Sequence, residues 1–220
     1  MYAAKDTFYD KEYWMNAADF FKQPYFRLKK CAKIVNKLAS GKACNLLDIG
    51  CGPATLAKLL QKNINYFGID IAIQTPAKNL IESDIAESKI AFGDKRFDII
   101  VAAGLFEYLG GRQKEKFAEI QKLMNENGKF VVTYTNFGHI HPPLNHPNYN
   151  YTVPIREFMK DLGSFFTIER WFPSSHNWVQ LEPSGKRKTV DNIQLNIFRN
   201  IPLISPLFTV NYFFVCSMRN

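Results

Sequence analysis

The chain has 220 residues, which suits one domain with a sizeable core, and its 46% apolar and 22% charged content is that of an ordinary globular protein. A net charge of +8 draws anions to the surface, yet the densest basic cluster is only Lys186-Arg187-Lys188, so composition gives little support to a nucleic-acid partner. No apolar run reaches the roughly 18 residues of a membrane-spanning helix, the start Met1 to Asp10 is too polar for a signal peptide, and Cys31, Cys44, Cys51 and Cys216 form no C-x-x-C pair or zinc-like spacing. Free thiols, no metal and a cytoplasmic location are therefore expected.

In chain order, Lys11 to Leu38 reads as one or two amphipathic helices broken near Pro24, followed by a Ser40-Gly41-Lys42 loop. Asn45 to Ile49 is an apolar run too short for a helix and ends in a glycine-rich turn, which predicts a buried parallel strand. Ala54 to Gln61 follows with Leu56, Leu59 and Leu60 at helical spacing. Tyr66 to Ile69 predicts a strand, Ile73 to Lys78 at most a short helix, Asn79 to Glu82 a weak strand, and Phe97 to Ala102 a strong one. Arg112 to Met124 places Phe117, Ile120, Leu123 and Met124 on one helical face. Asn127-Gly128 predicts a turn before a strand over Lys129 to Tyr134.

Such β–α alternation predicts a parallel sheet with helices on both faces. The character then changes. Asn136 to Pro154 is long, without helical period, and rich in Pro, His, Asn and Tyr, the profile of a functional loop. A helix over Ile155 to Leu162, a strand over Phe165 to Phe172, an irregular stretch over Pro173 to Pro206 and a last strand within Leu207 to Met218 complete the chain. The final two strands have enough chain between them to pair antiparallel.

The chemistry concentrates in LLDIGCGPATLAKLL, Leu46 to Leu60. Gly50 and Gly52 fall in the turn after the first strand, where glycine lets the backbone turn sharply and approach a ligand. The helix expected beyond them would offer free N–H groups. A dinucleotide fingerprint would place a third glycine where Thr55 stands. Pro53 removes an N–H where a pyrophosphate would seek one, and Asp48 would repel a pyrophosphate while accepting from an ammonium group. S-adenosylmethionine (SAM) carries an ammonium, a sulfonium and a single carboxylate, so the balance favours SAM.

This segment resembles the first motif of the class I SAM-dependent methyltransferases, roughly (V/L)LD(V/I)GCGxG, with Ala54 at the position of the last glycine. The resemblance implies a Rossmann-like, mostly parallel sheet of seven strands with an antiparallel last strand. It continues at Asp70 in FGID, matching the ribose-binding acid, with Ile71 beside it. Asp84 in ESDIAE matches the acid on the adenine side, with Ile85 as the apolar neighbour of the ring. Asp98 opens FDIIVAAGLFEYL like the fourth-strand motif, where the acid is mainly structural, and Gly104 to Glu107 would line the methyl-transfer side. LMNENGKFVVTYTN is similar to the turn into the fifth strand. The implied cofactor set is Asp48, Gly50, Cys51, Gly52, Asp70, Ile71, Asp84, Ile85 and Gly104, with Arg27 able to pair with the SAM carboxylate; S-adenosylhomocysteine (SAH) is the implied product.

Acceptor chemistry is less legible, because methyl transfer depends chiefly on holding two reactants in line. The loop after the fifth strand holds His139, His141, His146, Tyr149 and Tyr151. His139 and His141 lie nearest the strand end and are the preferred bases. Glu107 could orient an acceptor or cap the next helix. An N/D-P-P-Y/F motif is absent after the fourth strand, which disfavours nucleic-acid methylation. The expected organisation is a single domain: a helical lid over 1–42 with Tyr9, Tyr13, Trp14 and Arg27, a cofactor core over 43–135, and a substrate loop, helix and final strands over 136–220. The expected reaction is methylation of an oxygen or nitrogen of a small metabolite. TYTNFGHI and HPNYNYTVPIREFMKDLG also resemble the MetW group, which leaves a SAM-binding partner protein as an alternative. An RNA or protein methyltransferase is a further one, and a protein partner or homo-oligomer stays open.

Overall fold

A computed structural model describes residues 11–22, 26–109, 111–136, 152–175 and 211–219. Helices α1 (Lys11–Phe21) and α2 (Phe26–Ala39) precede strands β1 (Cys44–Ile49), β2 (Ile64–Asp70), β3 (Leu80–Glu82) and β4 (Phe97–Ala103). Helix α3 (Gln113–Leu123) leads into β5 (Met124–Thr135), and α4 (Ile155–Phe165) into β6 (Phe166–Ser175); β7 (Asn211–Met218) follows. Among the described residues these strands form one seven-stranded sheet in the order β3-β2-β1-β4-β5-β7-β6. Neighbours from β3 to β5 pair parallel, while β7 runs antiparallel to both β5 and β6. This is the Rossmann-like sheet with a reversed last strand that the sequence implied.

The two faces are packed differently. Alternation along β1 sends Leu47 and Ile49 to the face covered by α3 and α4, and Leu46 to the face covered by α2. On the first face, Phe106 stacks on Phe117 at 4.6 Å and Tyr134 on Phe158 at 3.9 Å. Each fully buried ring contributes about 1.5–3 kcal/mol through the water it excludes. Phe106, Phe117 and Phe158 are fully buried and belong to this core. On the second face, Cys31, Val35, Leu46, Val101 and Phe213 form a smaller core.

Two local expectations are corrected. Ala54 to Gln61 holds only a 3-10 turn over Thr55–Leu59, so no long helix supplies free N–H groups to the site. Asn36 on α2 stops it: its side-chain amide donates to Leu59 O at 3.1 Å, and its carbonyl accepts from Gln61 N at 3.1 Å. Asn127-Gly128 is not a turn before a separate strand. It is a register break inside β5, between the Phe97–Met124 and Ile99–Lys129 pairs. Met124 accordingly belongs to β5 rather than to the face of α3. Asp98 explains the break, since its carboxylate accepts from Asn45 N at 2.8 Å and from the Asn125 side chain at 2.6 Å. This acid fastens β1 and β5 to β4, in the structural role the resemblance implied.

No helix among the described residues is long and apolar enough to cross a membrane.

Candidate active site

The carboxyl ends of β1, β2 and β4 meet where the sheet order reverses between β1 and β4, the usual ligand crevice of an open α/β sheet. After β1 the chain turns through Gly50 at φ 74° and Gly52 at φ 51°. Gly50 N–H donates to Ile69 O at 2.8 Å, which ties the turn to β2. A Cβ on Gly52 would point into open space, so no described residue fills the crevice beside this backbone. Ala54 adopts φ 53°, a left-handed conformation that suits the glycine it replaces.

Asp70 closes β2 and faces that turn. One carboxylate oxygen accepts from Gly52 N at 2.8 Å and the other from Ala72 N at 2.9 Å. Burial raises its pKa above the ordinary carboxylate value, against the lowering effect of these backbone donors. Asp84, after β3, folds its side chain onto Ala86 N at 2.9 Å. Ile71 is half-buried, whereas Ile85 is buried in the core under α3.

The loop carrying Asp84 is held from α3. The Arg112 guanidinium donates to Ala86 O, Lys116 Nζ donates to Ser88 O at 2.7 Å, and the Glu119 carboxylate accepts from Ile90 N at 3.0 Å. Lys116 is almost fully buried, yet its ammonium is satisfied by Ser88 and by Glu119 at 3.1 Å. Sequence reasoning missed these supports. A Lys–Glu pair one helical turn apart was visible, but which loop it would grip was not.

Asp48 lies beneath the turn, on the α2 face and buried. Its Oδ2 accepts from the Tyr66 hydroxyl at 2.7 Å. Burial pushes its pKa up to about 7, opposed by that hydrogen bond. Cys51 points away from the crevice toward β2, where a Cβ on Gly68 would come within 2.7 Å of its sulfur. Burial pushes the Cys51 thiol up as well, so it is inert rather than nucleophilic. Tyr66 and Gly68 were not anticipated, although the alternation of Tyr66, Gly68 and Asp70 already placed them on the face of Asp48.

After β4, Gly104 turns at φ 72°, and a Cβ there would collide with the Arg27 guanidinium. Arg27 sits in α2 one turn before Cys31, so the structure brings the expected cation to the end of β4. Glu107, in a short 3-10 turn over Phe106–Tyr108, is buried and accepts from Thr135 N at 2.8 Å. It therefore bridges the ends of β4 and β5.

Helix α1 touches three carboxyl-end segments. Lys11 pairs with Glu82 at 2.5 Å, Met15 O accepts from the Gln74 side chain at 3.2 Å, and the Trp14 ring meets Tyr108 edge-on at 5.7 Å. Tyr9 and His139, His141, His146, Tyr149 and Tyr151 lie outside the described residues.

The residues fit SAM on three counts. Open space adjoins the Gly52 backbone, a buried acid (Asp48) stands below the turn and a half-buried one (Asp70) beside it, and a guanidinium lies at the far end of the crevice. Asp48 and Asp70 suit an ammonium and hydroxyl donors and would resist a pyrophosphate.

Comparison with known proteins agrees. A family model described as a methyltransferase domain matches residues 24–173. The malonyl-[acyl-carrier protein] O-methyltransferase of Calditerrivibrio nitroreducens is 29% identical over 183 residues, 72% of this chain and 67% of that protein. A SAM-dependent methyltransferase structure from Archaeoglobus fulgidus superposes with a TM-score of 0.64 at 18% identity, covering 93% of this chain and 99% of the other. The Burkholderia thailandensis 1,6-didemethyltoxoflavin-N1-methyltransferase, solved with its namesake substrate and SAH, does so with a TM-score of 0.63 at 14% identity, covering 95% and 85%. The matched family spans most of the chain and includes the whole glycine-rich turn, so this protein belongs to the methyltransferase-domain family and is a SAM-dependent methyltransferase.

Proposed function

We propose that the enzyme methylates an oxygen or nitrogen of a small-molecule metabolite. The observation that carries this reading is the placement of α1, tied by Lys11, Met15 and Trp14 across the carboxyl ends of the sheet. A helix bridging the crevice admits a compact acceptor more readily than a folded RNA. The Burkholderia thailandensis neighbour, solved with 1,6-didemethyltoxoflavin bound, supports the same class. In this reading residues 1–42 act as a lid, 43–135 as the cofactor core and 136–220 as the acceptor-binding part.

SAM, when bound, supplies a methyl group made electrophilic by its sulfonium. The Gly50–Gly52 backbone lies along the amino-acid end, with Cys51 holding the turn from behind. Asp48 favours the ammonium, Arg27 at Gly104 pairs with the carboxylate, and Asp70 accepts from the ribose hydroxyls. Asp84 and Ile71 flank the adenine, while Ile85 supports that wall from the core. His139 and His141 of the acceptor loop are proposed as bases that carry the released proton onward to solvent.

The test is transfer of labelled methyl groups from SAM into a size-fractionated cell extract. Label in low-molecular-weight material is expected. Label confined to the RNA or protein fraction, or none in any fraction with folded SAM-binding enzyme, would overturn the reading.

A further inference from the structure

We infer that Glu107 is a catalytic residue: its second carboxylate oxygen receives an N–H or O–H of the methyl acceptor, so the acceptor is a hydrogen-bond donor at its reacting atom and not a carboxylate. This deepens the small-molecule reading above and rests on it.

Glu107 is only 1% exposed. Its Oε1 accepts from Thr135 N at 2.8 Å, and its Oε2 is buried with no hydrogen-bond partner among the described residues. A buried carboxylate oxygen left unpaired is costly, and such an atom needs a donor from somewhere. Thr133 Oγ1, two residues before Thr135 on the same side of β5, is likewise buried and unpartnered among the described residues. Thr133 pairs in register with Ala103, the residue before Gly104. Two unsatisfied polar atoms thus lie where β4 and β5 end, beside the turn that Arg27 covers. Thr135 Oγ1 and Asn211 Oδ1 are engaged with each other at 3.0 Å. Of the two unpartnered atoms, the Thr133 hydroxyl can donate or accept, whereas the Glu107 carboxylate oxygen can only accept.

The chemistry follows. The lone pair of the acceptor nitrogen or oxygen forms the new bond to the methyl carbon. The carbon–sulfur bond breaks, and its electron pair stays on sulfur as the neutral thioether of SAH. The proton leaving the acceptor passes to Glu107 Oε2, giving a neutral carboxylic acid that returns it to water when product leaves. Charge is conserved, because a sulfonium and a carboxylate become a thioether and an acid. A carboxylate acceptor, as in the name of the malonyl-[acyl-carrier protein] relative, has no proton to give and would meet like charge.

The experiment is calorimetric titration of the SAH-saturated protein with phenol, imidazole, anisole and malonate, for wild type and Glu107→Gln. SAH affinity should change less than about threefold in the variant. Phenol or imidazole should bind wild type at least about tenfold more tightly than the variant, and phenol more tightly than anisole, which lacks the donor. The phenol–anisole comparison needs only wild type, so it decides the matter even where the variant fails to fold. Malonate binding in preference to phenol and imidazole, binding of neither donor, or donor binding unchanged in Glu107→Gln would overturn the inference. A loss of SAH affinity above about tenfold in the folded variant would also overturn it, moving Glu107 to the cofactor. Failure of wild type to bind SAH would instead sink the SAM reading on which both proposals stand.

Discussion

Tyr66 and Asp48, on adjacent strands under the glycine turn, share one hydrogen bond at 2.7 Å in which the phenol donates to the carboxylate. That bond favours ionised Asp48 against a burial that raises its pKa to about 7. Removing it with Tyr66→Phe should push Asp48 further toward its neutral form. SAM affinity measured by calorimetry at pH 7 should fall about tenfold, and should recover as pH is raised.

The same elevation sets a pH dependence of stability. Asp48 has a folded pKa of about 7 against an ordinary value of 3.8, and Asp70 is raised in the same direction. Between these limits the folded state holds more protons than the unfolded one, so stability falls as pH climbs. The ligand-free protein should be most stable near the lower limit, lose stability up to about pH 7, and level off above it. Urea titrations across this range should show a shallower slope in Asp48→Asn; an identical slope would assign the dependence elsewhere.

Asp70 uses both oxygens to hold Gly52 and Ala72 while facing the crevice. Asp70→Ala should weaken SAM binding at least about a hundredfold, because it removes two acceptors proposed to meet the ribose and loosens the turn at once. Asp70→Asn keeps one acceptor oxygen and should lose less. Calorimetry on both variants, with circular dichroism to establish folding, checks the order.

Ala54 carries a Cβ at φ 53°, where glycine has no steric penalty. Ala54→Gly should stabilise the protein by about 0.5–1 kcal/mol, after allowing for the extra freedom glycine has when unfolded. A rise of a few degrees in Tm is expected. A fall would mean that the Ala54 methyl makes packing contacts worth more than the strain.

Gly104→Ala should behave in the opposite way. The new methyl would meet the Arg27 guanidinium and sit at φ 72°. Displacement of Arg27 should weaken SAM binding more than it lowers Tm. The double variant with Arg27→Ala should show little further loss of affinity, since both changes remove the same contact.

The sequence revealed most where one strand dictates its own surroundings. Short apolar runs ending in Ile49, Ile69 and Ala102 marked the parallel strands, and the glycine turn announced itself through Gly50 and Gly52. What escaped was the set of contacts between distant segments. Asn36 truncates the turn after β1 from 23 residues away, and Asp98 breaks the register of β5 through Asn125. Neither partner carries a local pattern that marks it, because a polar side chain on a helix face looks the same whether it meets water or a backbone carbonyl. Glu107 was legible as a residue of the acceptor side; its burial, and the oxygen that Thr135 leaves unpaired, required the fold.

The position of β7 has a consequence for how the molecule is made. It lies between β5 and β6 although it is synthesised after both. Until Asn211–Met218 leaves the ribosome, the edge of β5 stays unpaired and β6 has no place in the sheet. The nascent chain can close the cofactor half first, but the half that frames Glu107 waits for the last strand. During that interval the apolar β5, with Phe130, Val131 and Val132, presents an open edge of the kind that chaperones cover and that aggregates recruit.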